Sequence, residues 1–350
     1  MTNEMSKAYK NPPKLTRVLS EEEIRKIRNE KRLASISLRI PCGCNFDCKY
    51  CYGRLEKGKP LTYNEIINVL DQSFDLGVKT VSIVGEGEPL LYRYYEKDVF
   101  DLIDYINKNG ADVVLFTNTT LITKDIAKKL YKRNITIVGK QLSLNPNIEN
   151  KLTRRPWASK KMKEGLSNLI MAGFNKTQPS RLSLFTLICK QNIKEIPTLW
   201  RKWRKQNIVP YIQVFVPPTH PERHKFYKEM FVPSQEVKKL FYRLAQIDKK
   251  EFDYIWDPDK TYPIAALGCS VVYTSCGITP TGNVQLCAYT EDPLGNIRKK
   301  TLREILHSSK CLKIRKTNYS GQKINLHYGC RALTFNLTGN RFAKDPFYWK

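Results

Sequence analysis

Between residues 34 and 216, short apolar runs alternate with longer stretches whose apolar residues recur every three or four positions. ASISLRI (34–40), TVSIV (80–84), VVLFT (113–117), ITIVGKQLSL (135–144), RLSLFTLIC (181–189) and YIQVFV (211–216) are rich in β-branched residues and read as strands. The stretches between them read as helices. Thr62 opens the first, with Glu65 completing a capping box and Leu61 and Ile66 placed for a hydrophobic staple. Ile66, Val69, Leu70 and Phe74 share one face of that helix, and Gly77 ends it. Further helices are expected near 95–109, from Thr123, near 157–172 and near 193–206, with Gly110 and Gly173 as stops.

Six strand-plus-helix units predict parallel strands joined by helical crossovers, an α/β protein. Continuous apolar strands fit helices on one face and packed side chains on the other. Periodicity does not separate an open doubly wound sheet from a partial barrel. Either one places the functional site in the loops after the strands. A polar arm (1–33), with SEEEIRKIRNEKRL as a short helix, precedes this core (34–225). Pro217–Pro218 and THPERHK (219–225) break the pattern. A helical connector (226–264) and a region of short, Gly- and Cys-punctuated segments (265–350) follow.

Composition narrows the class. An apolar share of 41% with 19 Tyr and 14 Phe belongs to a folded globule. No run approaches the ~20 apolar residues of a membrane span, and the first residues lack a secretory h-region. A cytoplasmic location is therefore expected, where clustered cysteines bind metal more often than they form disulfides. Sixty Lys+Arg against 33 Asp+Glu give a net charge of +27, which favours anionic partners. The basic residues are spread along the chain, as on ordinary solvated faces. LWRKWRK (199–205) interleaves aromatics with cations, yet Trp200 and Trp203 at i, i+3 read more simply as a buried helix face. Nucleic acid is a possible partner and not the favoured one.

The chemistry concentrates in CGCNFDCKYCYG (42–53), directly after the first strand. Cys44, Cys48 and Cys51 are separated by three and then two residues. Three thiolates on so short a loop can ligate three corners of a four-iron cluster and leave the fourth iron open. Zinc would need a fourth protein ligand. A thioredoxin-type pair would use Cys48 and Cys51 to open a helix and have no use for Cys44. Cys42, at the strand end, is expected to pack.

CNFDCKYC, with aromatic Tyr50 before the last cysteine, resembles the cluster loop of the radical S-adenosylmethionine (SAM) enzymes. VSIVGEGEPLL (81–91) resembles their glycine–glutamate–proline motif, which assigns Gly87, Glu88 and Pro89 to the cofactor's amino group, with Glu86 where a second glycine is common. FTNTTLIT (116–123) is similar to the segment after the third strand, with Asn118 facing the site and Thr119 where glycine is common. QLSLNP (141–146) is similar to a ribose-contacting segment and points to Ser143. Arg155 matches an arginine near the cofactor carboxylate, with Arg154 competing if the match slips by one, and Leu187 is expected as an apolar wall for the adenine.

A second group comprises Cys269, Cys276, Cys287 and Cys330. Its order, with CGITPTGNVQLC as a hairpin, resembles the C-terminal extensions called SPASM and twitch domains. That resemblance implies that the four thiols hold one auxiliary four-iron cluster; the spacing alone would equally allow a structural zinc. A second auxiliary cluster is not expected, because only Cys311 lies between Cys287 and Cys330 and no cysteine follows Asp345–Pro346. Cys189 and Cys311 are expected to pack as small apolar residues.

The resemblance implies a partial (β/α)6 TIM-type barrel with a small C-terminal SPASM/twitch-like cysteine-rich domain. It implies a [4Fe-4S] cluster that binds SAM, and an electron from a reductant such as flavodoxin or ferredoxin. It further implies reductive cleavage of SAM to a 5′-deoxyadenosyl radical, which takes a hydrogen from a substrate carbon. The first expected substrate is a ribosomal peptide or protein side chain, although the arm of about 33 residues is short for a leader-binding module. The alternatives are radical dehydrogenation of a small molecule of aminocyclitol or sugar type, and modification of RNA. Weak candidates for a catalytic acid or base are His220, Glu222, His224 and Tyr273.

Overall fold

Thr62 caps the first helix as its sequence requires. Its hydroxyl accepts the Glu65 amide at 3.2 Å while the Glu65 carboxylate accepts the Thr62 amide at 2.8 Å. The helix α1 (Tyr63–Asp75) ends at Gly77, which takes the left-handed φ that glycine tolerates. The protein is described here by a computed structural model. It covers residues 32–51, 56–216, 226–258, 274–287, 292–319 and 330–340, with single positions 26, 27, 29, 30, 289 and 343.

All six expected strands form: β1 (Ser35–Ile40), β2 (Thr80–Gly85), β5 (Asp112–Phe116), β6 (Ile135–Lys140), β7 (Leu182–Ile188) and β8 (Val209–Val214), with the minor ribbon β3 (Arg93–Tyr94) and β4 (Lys97–Asp98) between. The crossovers are α1, α2 (Val99–Lys108), α3 (Lys124–Tyr131), α4 (Pro146–Thr153) with α5 (Ala158–Met171), and α6 (Ile196–Lys205). The sequence reading ran β6 on to residue 144 and missed α4. The strand stops at Lys140 because two carboxylates capture the next amides. Glu149 accepts from Leu142 and Ser143 at 2.9 and 3.1 Å, and Glu195 accepts from Leu144 at 2.9 Å. Pro146 then sits in the first turn of α4, where its missing N–H costs nothing.

The parallel strands neighbour one another in chain order, β1-β2-β5-β6-β7-β8, with no reversal. A doubly wound sheet would reverse; this order is that of a partial barrel. Its curl is visible in the side chains. Phe116 on β5 and Tyr211 on β8 are three strands apart, roughly 14 Å in a flat sheet, yet their rings lie 6.2 Å apart. Register aligns Arg39, Val84, Phe116 and Val138 across β1, β2, β5 and β6, and Lys140, Phe185 and Tyr211 across β6, β7 and β8. Because side chains alternate along a strand, these rows share the luminal face, while Ile36, Leu38 and Ile40 are buried on the other.

Beyond the barrel come α7 (Tyr227–Met230) and α8 (Ser234–Glu251), the latter locked to α6 through Asp248. Next come β9 (Ser275–Ile278), β10 (Asn283–Gln285), β11 (Gly295–Asn296), α9 (Leu302–Leu306), α10 (Ser309–Tyr319) and α11 (Arg331–Thr338). The C-terminal hairpin is continuous with the core sheet: β9 pairs in parallel with β1, giving the order β11-β10-β9-β1 on that side. Trp200 and Trp203 are buried, as their spacing predicted. Residues 1–25 lie outside the described residues, as does most of the arm's expected helix.

Candidate active site

The cysteine loop is shaped by its own alternation. Phe46, Cys48 and Tyr50 are buried in an apolar cluster with Leu142, Leu152, Leu187 and Phe215. The intervening polar residues face outward, Asp47 to Arg154 at 3.0 Å and Lys49 to Glu229 at 3.2 Å. Backbone amides of Asp47 and Lys49 donate to the carbonyls of Thr153 and Leu152 at the end of α4. Asn45 donates to Thr120 and accepts from Asn118, both at 2.7 Å, and its carbonyl accepts from Arg155 Nε at 2.8 Å. The loop is thus pinned to the ends of β5 and α4.

Cys44, Cys48 and Cys51 line one cavity of about 220 Å³ at the strand ends, together with Tyr50, Gly87, Glu88, Asn118 and Leu187. Aromatic walls come from Phe46, Phe116, Phe185 and Phe215. Among the described residues, no three His, Cys, Asp or Glu side chains stand in closed metal-binding geometry. Burial pushes the Cys48 thiol up to about 11 and raises Cys44, with the nearby Lys140 ammonium acting in the opposite direction.

Glu88 is 1% exposed and burial raises its pKa. Its carboxylate accepts from the Thr117 hydroxyl and the Asn118 amide at 2.7 Å each and from the Leu90 amide at 3.3 Å. Those bonds tie β2 to β5 and cap the turn Pro89–Leu91, and they fix the carboxylate at the cavity wall. Gly87 meets the cysteine loop instead: the Glu88 amide donates to the Gly43 carbonyl at 2.8 Å. Glu86 pairs with Arg39, which also reaches Gln285 on β10 at 3.3 Å. Thr119 holds φ +67°, a conformation that explains why glycine suits this position. Its hydroxyl donates to the Asn118 carbonyl at 2.7 Å.

Ser143 is brought near the loop but does not line the cavity; its hydroxyl donates to Glu195 at 2.7 Å. Neither Arg154 nor Arg155 lines it. His220, Glu222, His224, Tyr273 and Cys269 lie outside the described residues. Cys276 lies on β9, in the strand register of β1. Its register opposite Ile36 turns it into the outer core, beside Cys311 and Arg315, where burial pushes its thiol up to about 12. Cys287 and Cys330 both act on Tyr289, which lines the cavity and donates its hydroxyl to Gln213 on β8 at 2.7 Å. Sequence reasoning missed Lys140, Gln213 and Tyr289. A lysine closing an otherwise apolar strand, and an aromatic two residues after a cysteine, were the signals available.

Residues 38–201 match the radical SAM superfamily, and residues 269–331 match the SPASM iron-sulfur cluster-binding domain. The chain is a radical SAM enzyme of the SPASM type. It is similar to an AdoMet-dependent heme synthase of Methanosarcina barkeri, 26% identical over 342 residues, which span 89% of this chain and 95% of the relative. It is also 28% identical to a probable GTP 3′,8-cyclase of Methanococcus maripaludis over 64% of this chain and 74% of that one. The fold matches Streptococcus suis SuiB bound to S-adenosylmethionine with a TM-score of 0.66 at 18% identity, covering 96% of this chain and 83% of that one.

A radical SAM domain takes a [4Fe-4S] cluster and SAM, and a SPASM domain takes an auxiliary iron–sulfur cluster. The residues present fit such groups. Backbone N–H groups donate to sulfur at 3.4 Å in both regions: Phe46 to Cys44, Tyr289 to Cys287 and Leu333 to Cys330. Such bonds stabilise a thiolate that ligates iron.

Proposed function

We propose that this radical SAM enzyme oxidises a substrate carbon by hydrogen-atom abstraction in the thiol-lined cavity. Bound there, the cluster and SAM supply a carbon radical strong enough to take that hydrogen, and the auxiliary cluster supplies a one-electron acceptor. The observation that carries this reading is Tyr289. It lines the cavity with Cys44, Cys48 and Cys51, its amide donates to Cys287 Sγ at 3.4 Å, and its carbonyl accepts from Asn336 on α11, the helix that Cys330 caps. Cys44, Cys48 and Cys51 would hold the first cluster, while Cys287 and Cys330 contribute to the second. Gly87 seats the start of the cysteine loop beside the cavity, Leu187 and the phenylalanines keep water out, and the Gln213–Tyr289 pair orients the substrate.

The first substrate reading is a peptide or protein side chain. It is supported by the architecture shared with SuiB, which has been solved with its precursor peptide SuiA. A second reading has its own support: the heme synthase aligns over nearly the whole of both chains, and a precursor of heme would then occupy the cavity. The test is anaerobic reconstitution, then dithionite and SAM with a deuterated peptide or a deuterated heme precursor. Formation of 5′-deoxyadenosine that carries deuterium from one probe identifies the class. No 5′-deoxyadenosine under any condition overturns the catalytic reading, and about four irons per chain instead of about eight removes the auxiliary cluster.

A further inference from the structure

We propose that Lys140 sets the electron affinity of the three-thiol centre, as a fixed positive charge offsetting the negative charge that thiolates and an added electron bring into an apolar cavity. The inference rests on that centre holding the cluster and is independent of the substrate. Lys140 is the last residue of β6, on the luminal row with Phe185 and Tyr211. Its ammonium lies 5.3 Å from the ring centroid of Tyr50, the residue that precedes Cys51. Among the described residues that line the cavity it is the only cation.

Two nearby carboxylates are held by others: Glu88 accepts from Leu90, Thr117 and Asn118, and Asp47 pairs with Arg154. Glu149 gives Oε2 to the amides of Leu142 and Ser143, and its carboxyl, whose pKa burial raises, acts on Lys140 from a distance. Among the described residues no hydrogen bond or ion pair is recorded at the Lys140 ammonium, which rests against an aromatic face and looks into the cavity. Three thiolates outweigh the charge of an oxidised four-iron core, and an incoming electron widens that excess. Within low-dielectric walls such as Phe116, Phe185 and Phe215, a nearby cation acts far more strongly than it would in water. Lys140 therefore makes the uptake of one electron from an external donor easier, without itself gaining or losing a proton.

The test is a potentiometric titration of the reconstituted full-length chain, followed by electron paramagnetic resonance. The relevant signal is the one that Cys44→Ser removes. Lys140→Met, with Lys140→Gln as a second neutral variant should methionine prevent iron loading, should titrate at a more negative midpoint. The reduced fraction at a fixed donor potential should fall at least several-fold. Lys140→Arg should restore the wild-type midpoint. A midpoint unmoved in a loaded neutral variant, or an arginine variant that behaves like the neutral ones, overturns the proposal. So does weaker SAM binding with an unchanged SAM-free midpoint, which would assign the ammonium to the cofactor's carboxylate.

Discussion

A methyl group on Gly87 would lie 2.0 Å from the carbonyl oxygen of Gly43 and 2.8 Å from that of Cys42. The glycine of the second-strand motif is thus a seat for the start of the cysteine loop. Gly87→Ala should displace that loop, costing about 1–3 kcal/mol and lowering the iron bound per chain. A methyl on Gly43 meets nothing within 4 Å, so Gly43→Ala should load iron and melt as the wild type does. Equal effects in iron analysis and thermal melts of the two variants would remove this account.

Cys42 is the cysteine of the loop that does not line the cavity. It packs against the main core, and burial pushes its thiol up to about 12, against a backbone hydrogen bond from Gly87. Cys42→Ser should retain iron and SAM cleavage, whereas Cys44→Ser should lose cleavage. Measurement of 5′-deoxyadenosine in the two variants decides between them, and the reverse pattern would shift the ligand register by two.

Glu149 carries a pH signature. Burial pushes its carboxyl from 4.5 up to about 7, against the amide bonds from Ser143 and Leu142. The folded state then binds more protons than the unfolded state between those values, so stability falls as pH rises from about 4.5 to about 7. The linked loss is on the order of 3 kcal/mol. Glu149→Gln should flatten that slope, as read from urea midpoints at pH 5 and pH 7.5. A slope unchanged in the variant would assign the dependence to other groups.

Asp248 is fully buried and accepts from the indoles of Trp200 and Trp256 at 2.7 and 2.9 Å and from Arg204 at 2.7 and 3.1 Å. Asp248→Asn leaves the Arg204 charge uncompensated and puts an N–H against donors. It should cost about 3 kcal/mol, seen as a lower melting temperature with iron content per folded chain unchanged.

What the sequence disclosed followed the range of the interactions involved. The capping box at Thr62, the glycine stops and the spacing of Cys44, Cys48 and Cys51 are written within a few residues of one another, and each could be read. The end of β6 could not, because Glu195 acts on Ser143 from 52 positions away. The bonds that fix Glu88 could not be read either, because its partners Thr117 and Asn118 come from the end of the next strand. The place of Cys276 opposite Ile36 is set by the register of β9 on β1, which the spacing of the cysteines does not report. Lys140 was visible as a residue, and its position beside the three thiols became visible only once strand register turned it into the cavity.

The pairing of β9 with β1 joins the strand that precedes the cysteine loop to one made some 240 residues later. Until the C-terminal region arrives, one edge of β1 presents unpaired amides and carbonyls beside the segment that must gather three thiols. An exposed edge of that kind invites pairing with another chain. A barrel trimmed of its C-terminal domain would then be an aggregation-prone fragment rather than a minimal enzyme, and the newly made chain meets the same hazard for as long as its last quarter is missing.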